Sequence, residues 1–120
     1  MTGGSGFLGR AILNSLSGLQ PIRAAIRQPN LSISFLCGVE IIDATLSPEK
    51  DWLNALSGVS TIIHCAARVH VMKESSLDPL AEFRQVNVAG TLNLAHQASR
   101  SGVRRFIFIS SIKVNGEYTN

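Results

Sequence analysis

The chain has 120 residues, of which 45% are hydrophobic and 16% charged, with a net charge of +3. That length suits one domain with one core, and the composition excludes disordered and fibrous classes. Basic residues stand singly or in pairs such as Arg104-Arg105, not in the runs that track a nucleic-acid backbone, so no nucleic-acid partner is expected.

Cys37 and Cys65 form no C-x-x-C pair and have no histidine cluster beside them. Neither a disulfide framework nor a metal site is expected. No basic segment leads into an apolar stretch at the amino end, and no apolar run could span a bilayer. A soluble, cytoplasmic protein without a membrane partner is the expectation.

In chain order, a glycine-rich segment over Thr2–Gly9 opens a helix predicted for Phe7–Ser17. Leu8, Ala11, Ile12 and Leu16 share one face of it, and Gly18 stops it. Ile22–Ile26 reads as a strand ended by the turn cluster Arg27-Gln28-Pro29-Asn30. Val39–Asp43 reads as another. Ser47-Pro48-Glu49 predicts a helix start, with Ser47 as N-cap and Pro48 at the first position, running to about Leu56 and ending near Gly58. The nearly unbroken apolar run over Ser60–Ala66 suits a strand buried on both faces. A polar loop, Arg68–Leu77, leads to Asp78-Pro79, which opens the longest helix, reaching about Ser101. Leu80, Phe83, Leu94 and Ala98 form one apolar stripe on it; Val88, Leu92 and Ala95 form a second. Arg105–Ile109 is the last strand.

Alternating strands and helices predict an α/β fold, a Rossmann-type doubly wound parallel sheet with helices on both sides. A glycine turn of this kind follows a strand, yet only Met1 precedes it. The expectation is a piece of a longer protein: a partial dinucleotide-binding domain over 1–120, its first strand mostly missing, ending after the fifth. That first strand belongs near the sheet centre, between the second and fourth, and its loss should leave strand edges unpaired.

Gly4-Ser5-Gly6-Phe7-Leu8-Gly9 reads G-x-G-x-x-G, and Gly3, Gly6 and Gly9 also give G-x-x-G-x-x-G. Such a turn is tight, lets backbone approach a pyrophosphate, and packs the helix closely on the sheet. The helix amino end then offers free N–H groups and a positive dipole to phosphates. Gly3, Gly6, Phe7, Leu8 and Gly9 are therefore expected at the cofactor. NAD enzymes place a carboxylate at the end of the second strand to bond the ribose 2′-hydroxyl. Here Arg27 stands there, with Arg23 earlier in the strand. Arginine attracts a 2′-phosphate, which favours NADP over NAD.

Thr2-Gly3-Gly4-Ser5-Gly6-Phe7-Leu8-Gly9 resembles the amino-terminal signature of the extended short-chain dehydrogenase/reductases, which include nucleotide-sugar epimerases, dehydratases and 4-ketoreductases. Asp43-Ala44 is similar to the family's pair at the adenine ring. His64-Cys65-Ala66-Ala67 resembles its H-x-A-A segment, which lines the dinucleotide. Asn87-Val88-Ala89-Gly90-Thr91-Leu92-Asn93-Leu94 resembles its N-V-x-G-T-x-N-L helix. Phe106–Ser111 with Val114 and Gly116 resembles F-I-x-x-S-S-x-x-V-Y-G, with Asn115 where tyrosine is frequent.

The resemblance implies an NAD(P)-dependent enzyme acting by hydride transfer at a carbon of a nucleotide-linked sugar. It implies a Ser, a Tyr and a Lys around the reacting oxygen. Ser111 matches the serine, with Ser110 its rival; strand alternation would point the two oppositely. The Tyr-x-x-x-Lys pair is absent, since the only tyrosine is Tyr118 and the chain ends at Asn120. The 120-residue chain is thus expected to be inert alone. The alternatives are a non-catalytic dinucleotide-binding or redox-sensing module, and a ketone or steroid reductase.

His64 reads as a satisfied core histidine and Cys65 as a small buried side chain near the cofactor, not a reactive thiol. His70 and Lys73 read as solvated loop residues, and His96 as surface or interface. Asn87 is polar on a stripe that faces the sheet and needs a partner. The resemblance puts it near the cofactor phosphates; a plain bond to backbone is the equal alternative. Gly90 permits close packing of the long helix, and the family's homodimers use that helix, 79–101.

Overall fold

Four short strands, all parallel, carry the structure, a computed structural model that describes residues 1–27, 36–69 and 78–116, with Lys113 described by its backbone only. The elements are α1 (Phe7–Leu16), β1 (Ile22–Ile26), β2 (Val39–Asp43), α2 (Leu53–Leu56), β3 (Thr61–His64), α3 (Pro79–Arg84), a π-helical segment (Gln85–Gly90), α4 (Thr91–Arg100), β4 (Arg105–Phe108) and a 3₁₀ turn (Ile112–Asn115). β1 pairs with β2 in register Ala24 to Ile41, and β3 with β4 in register Ile62 to Phe106.

Thr2 joins the two pairs. It bridges Ala25 on one side and His64 on the other, both in parallel sense. Its N–H donates to Ile63 O at 3.0 Å, its carbonyl accepts from Cys65 N–H at 3.2 Å, and Ala25 N–H donates to Met1 O at 2.8 Å. The order is therefore β2, β1, Thr2, β3, β4, and the central position falls where the sequence puts it. The expected unpaired edges are occupied at this level by Met1 and Thr2. The Met1 α-amino group donates to Arg23 O at 2.6 Å. Burial pushes its pKa down from 8.0 to about 6.

Helices cover both faces. Leu13 of α1 packs with Ala24 and Ile26, while Ala25 faces the other way, into a cluster with Ala44, Leu46, Trp52, Leu56, Ile62, Leu94 and Ala98. Three successive residues of β1, Ala24–Ile26, are buried, the mark of a strand covered twice.

Three expectations are corrected. On α1 the buried residues are Gly9 and Leu13, while Leu8 and Ala11 are exposed. The face turns because Gly9, having no side chain, lets the helix sit directly on the glycine turn. The helix expected from Ser47 begins at Leu53 instead, with Asp51 Oδ1 accepting from Leu53 N–H at 2.9 Å. Local N-cap chemistry loses there to tertiary bonds. Asn93 Nδ2 donates to Ser47 O (3.2 Å) and Lys50 O (2.8 Å), and Gln97 Nε2 donates to Lys50 O (2.8 Å).

The long helix is the third correction, because it is not uniformly α. Asp78 Oδ1 accepts from Ala81 N–H at 3.0 Å and Pro79 occupies the first turn, as the sequence predicts. The π segment that follows adds a residue to the turn and rotates everything downstream by about 100°. One expected stripe is thereby split: Leu94 and Ala98 are buried, whereas Leu80 is 57% exposed. Gly90 is a close approach, as expected: a Cβ there would lie 3.0 Å from Leu46 Cγ and 3.2 Å from Ser47 N. β3 and β4 each end earlier than the apolar runs suggest, at His64 and Phe108. The turn residues 28–30, His70, Lys73 and Tyr118 lie outside the described residues.

Candidate functional site

The glycine turn is built by three different constraints. Gly3 has φ +74°, a left-handed conformation, and a Cβ there would sit 2.6 Å from Ala66 N and Cys65 C. A Cβ on Gly9 would sit 2.0 Å from Gly3 O. Both positions are closed to any side chain by the fold itself. Gly6 differs, since its Cβ would meet only Gly3 O, at an ordinary 3.4 Å. Gly6 faces open space, and that space is a cleft.

The cleft, about 440 Å³, opens at the carboxyl ends of the strands. Thr2, Gly3, Ser5 and Gly6 form its floor. Ala25, Arg27, Ala44, Thr45, Leu46 and Trp52 form one side, Cys65 to Val69 the other, and Val86 reaches in from the long helix. Such a volume is of the size that takes a small ligand. No side chain caps α1, so its first N–H groups and dipole are left to attract an anion at the turn.

Of the residues expected at a cofactor, Gly3, Gly6, Arg27, Ala44, Cys65, Ala66 and Ala67 line this cleft. Gly9 is buried beneath the turn, and Phe7 is 96% exposed on α1, as Leu8 is in part. Phe7, Leu8, Gly9, Asp43, Asn87 and Ser111 are not lining residues. Asp43 is exposed at the end of β2. Arg23 serves another purpose than the sequence suggests. Its Nε donates to Glu40 Oε2 at 2.7 Å, and one terminal nitrogen donates to Ala55 O at 2.8 Å and Ser57 O at 3.0 Å. Four residues before Arg27, it lies about 13 Å back along the strand, and it holds the end of α2.

His64 is a core histidine with both ring nitrogens engaged. Nδ1 is 2.6 Å from Thr2 Oγ1 and Nε2 is 3.0 Å from Thr91 Oγ1. Thr2 Oγ1 also accepts from Ala66 N–H at 3.3 Å. In either neutral tautomer one ring nitrogen donates to its threonine and the other accepts, so both are satisfied. Burial lowers the His64 pKa, and the Met1 ammonium lowers it further. The ring is neutral, and it fastens the turn to the long helix. Burial raises the Cys65 pKa, which keeps the thiol protonated, although the side chain is half-buried at the cleft and not buried as the sequence predicts.

Asn87 finds its partner on the backbone. Its Oδ1 accepts from Arg68 N–H at 2.7 Å and its Nδ2 donates to Arg68 O at 2.9 Å. The Arg68 guanidinium pairs with Glu82 at 2.6 Å and lies 5.4 Å from the centre of the Phe83 ring. Asn87 thereby sets the course of the chain along one wall of the cleft. Ser110 and Ser111 are both exposed and lie past the end of β4, so alternation no longer separates them. Ser111 O accepts from Val114 N–H at 3.1 Å. Thr45, Leu46, Trp52, Arg68 and Val69 were not singled out by the sequence reading; a lone tryptophan just after a strand-end loop was the one available signal. Among the described residues no His, Cys, Asp and Glu cluster could hold a metal, and no helix is long and apolar enough to cross a membrane.

The model of the 3-beta hydroxysteroid dehydrogenase/isomerase family matches residues 1–120. The chain belongs to that family. Among its similar proteins is a UDP-glucose 4-epimerase of Vibrio cholerae, 44% identical over 99% of the chain and 36% of the epimerase. A 3 beta-hydroxysteroid dehydrogenase/Delta 5→4-isomerase of Mycobacterium tuberculosis is 34% identical over 95% of the chain and 31% of that enzyme. Among solved structures, a short-chain dehydrogenase/reductase superfamily protein of Agrobacterium tumefaciens with bound NAD superimposes with a TM-score of 0.77. It is 31% identical and is matched over 98% of the chain and 34% of that protein. The fold is thus that of the Rossmann-type short-chain dehydrogenase/reductases. This 3-beta hydroxysteroid dehydrogenase/isomerase family chain spans about a third of the length of these relatives.

Proposed function

We propose that the protein is an NAD(P)-dependent enzyme of nucleotide-sugar chemistry, an epimerase, dehydratase or 4-keto-sugar reductase, and that residues 1–120 are its dinucleotide-binding part. The observation that carries this reading is Gly6: it has no neighbour that forbids a side chain, and it faces the cleft at the uncapped end of α1. That is the arrangement expected where backbone must come close to a phosphate.

In this reading the N–H groups of Phe7, Leu8 and Gly9 hold the pyrophosphate. Ala44, Thr45 and Leu46 take one nucleoside, and Cys65, Ala66 and Ala67 flank the other. The bound nicotinamide supplies hydride transfer. Ser111 donates a hydrogen bond to the reacting oxygen of the substrate, and Asn87 positions the wall beside it. Arg27, at the cleft edge and without a described carboxylate partner, favours a 2′-phosphate and hence NADP. The chain without a Tyr-x-x-x-Lys pair is expected to bind cofactor and not turn over.

The family and the Mycobacterium tuberculosis relative favour a second reading, a steroid dehydrogenase. The 44% identity to the Vibrio cholerae epimerase weighs toward the sugar. Leu80, Val88 and Leu92 are exposed on the long helix, which supports a homodimer through that face. Calorimetric titration of NADP and NAD against the chain tests the binding reading; saturable binding of either supports it, and no binding of both refutes it. Parallel assays of the full-length protein on UDP-sugars and on 3β-hydroxysteroids separate the two substrates.

A further inference from the structure

His64 closes β3, one residue before the cleft wall begins at Cys65, and it is 1% exposed. Phe106 and Phe108 flank its ring, with centroids 5.8 and 5.7 Å away. Between these apolar rings both imidazole nitrogens meet a hydroxyl, Thr2 Oγ1 at 2.6 Å and Thr91 Oγ1 at 3.0 Å. Replacing such a buried set by apolar side chains of the same shape is nearly neutral for stability. What the polar set supplies instead is direction, because each bond orients the next.

One end of this series of bonds lies at the corner where the cleft floor meets its wall. Thr2 Oγ1 accepts from Ala66 N–H at 3.3 Å, and Thr2, Gly3, Cys65 and Ala66 all line the cleft. There is no slack at that corner, since a Cβ on Gly3 would lie 2.6 Å from Ala66 N. A shift of Ala66 is therefore felt by the glycine turn. At the other end stands Thr91, which caps the π segment and opens α4. Thr91 does not line the cleft, so its route to a ligand there runs through His64 and Thr2.

We infer that Thr91 is a positioning residue of the glycine turn, setting dinucleotide affinity from outside the cleft through His64 and Thr2. This rests on the dinucleotide reading above. The hydroxyl on the long helix and the turn assigned to phosphate then belong to one bonded unit, and loosening the first loosens the second.

The test uses the full-length protein, calorimetry with NADP and NAD, and NMR of the His64 ring nitrogens, identified by their loss in His64→Gln. Thr91→Val keeps the shape and removes the hydroxyl; it should weaken whichever dinucleotide binds about fivefold, the worth of one net hydrogen bond. Thr91→Ser returns the hydroxyl and should return the affinity, which a packing role would not. Saturation with dinucleotide should shift the His64 ring signals, although the ring does not line the cleft. An unaltered Kd in a folded Thr91→Val variant overturns the inference, as does a Thr91→Ser variant that binds as weakly as Thr91→Val. If Thr91→Val does not fold, the ring signals of the unsubstituted protein decide alone, and signals unmoved at saturation overturn it. Absence of any heat with NAD and NADP overturns the dinucleotide reading itself. The positioning is then read without ligand: Thr91→Val should shift the Gly3 and Ala66 amide signals, and unmoved amides overturn it too.

Discussion

Alanine at two glycines of one turn should separate what the fold needs from what a ligand needs. At Gly9 the new methyl would lie 2.0 Å from Gly3 O, 2.8 Å from Gly3 C and 2.9 Å from Gly4 Cα, all backbone. Relief requires the helix to move outward by more than 1 Å, by the usual contact distances. Overpacking of this kind costs about 1–3 kcal/mol or more. The gain of about 1 kcal/mol in helix propensity cannot offset a clash with fixed backbone.

At Gly6 the methyl meets only Gly3 O, at 3.4 Å, and the backbone, at φ −75° and ψ 169°, suits any residue. Loss of a good N-cap residue and reduced freedom of the unfolded chain oppose each other, each near 0.5–1 kcal/mol. Gly6→Ala should therefore melt within about 4 °C of the unsubstituted chain. Its methyl nevertheless enters the space assigned to phosphate. Displacing one charge-assisted hydrogen bond costs about 2 kcal/mol, roughly thirtyfold in Kd. Thermal melts and calorimetry with NADP on both variants read the two effects separately. A Gly6→Ala variant that binds as tightly as the parent refutes the argument, because the open side of the turn would then hold nothing.

Three further outcomes are expected. Arg27→Ser should weaken NADP about tenfold and leave NAD unchanged, read as the ratio of the two Kd values; equal loss for both would remove the basis for preferring NADP. Asn87→Leu should cost about 2 kcal/mol in a urea melt by leaving the Arg68 N–H and carbonyl without their partner, and hydrogen exchange should rise at 66–69 if that wall is what Asn87 holds. Stability should fall with acid in two stages, since both shifted bases bind protons more readily when unfolded. The Met1 amine contributes as pH drops from 8.0 to about 6, and His64 contributes below its ordinary 6.5. His64→Gln should flatten the dependence of the urea midpoint below pH 6.5 only; an unchanged slope there would argue against a neutral buried ring.

Strands were legible where a short apolar run meets a clear stop. Ile22–Ile26, between Pro21 and Arg27, and Val39–Asp43 are found with the expected bounds. Asp78-Pro79 marked its helix start because the cap is a local bond, within reach of a sequence rule. Ser47-Pro48 offered the same local signal and failed, because Asn93 and Gln97, far away in the chain, take the backbone groups of 47–50. The glycine spacing located the cleft floor, but not which glycine faces it; that depends on where Gly3 O lies. Trp52 escaped notice since no motif contains it, and only packing brings it to the wall. The π segment was invisible in the sequence, and the second apolar stripe of the long helix is not a packed face: Val88 and Leu92 are exposed.

That segment has a consequence for the shape of the site. Asn87 fixes the wall at Arg68, while Asn93 and Gln97 fix the wall at 47–52. All three stand on one continuous helical rod, spread over roughly 15 Å of its axis. The rod thus works as a caliper, with jaws set by residue count rather than by loop flexibility. Under the dinucleotide reading, the spacing of the two walls would follow the helix in whole-residue steps. Deleting one residue from 85–90 would not narrow the gap gradually; it would swing one jaw by about a quarter of a turn relative to the other. Drift in such a protein should therefore be tolerated readily in the loops that form the walls and resisted in the length of the helix that spaces them.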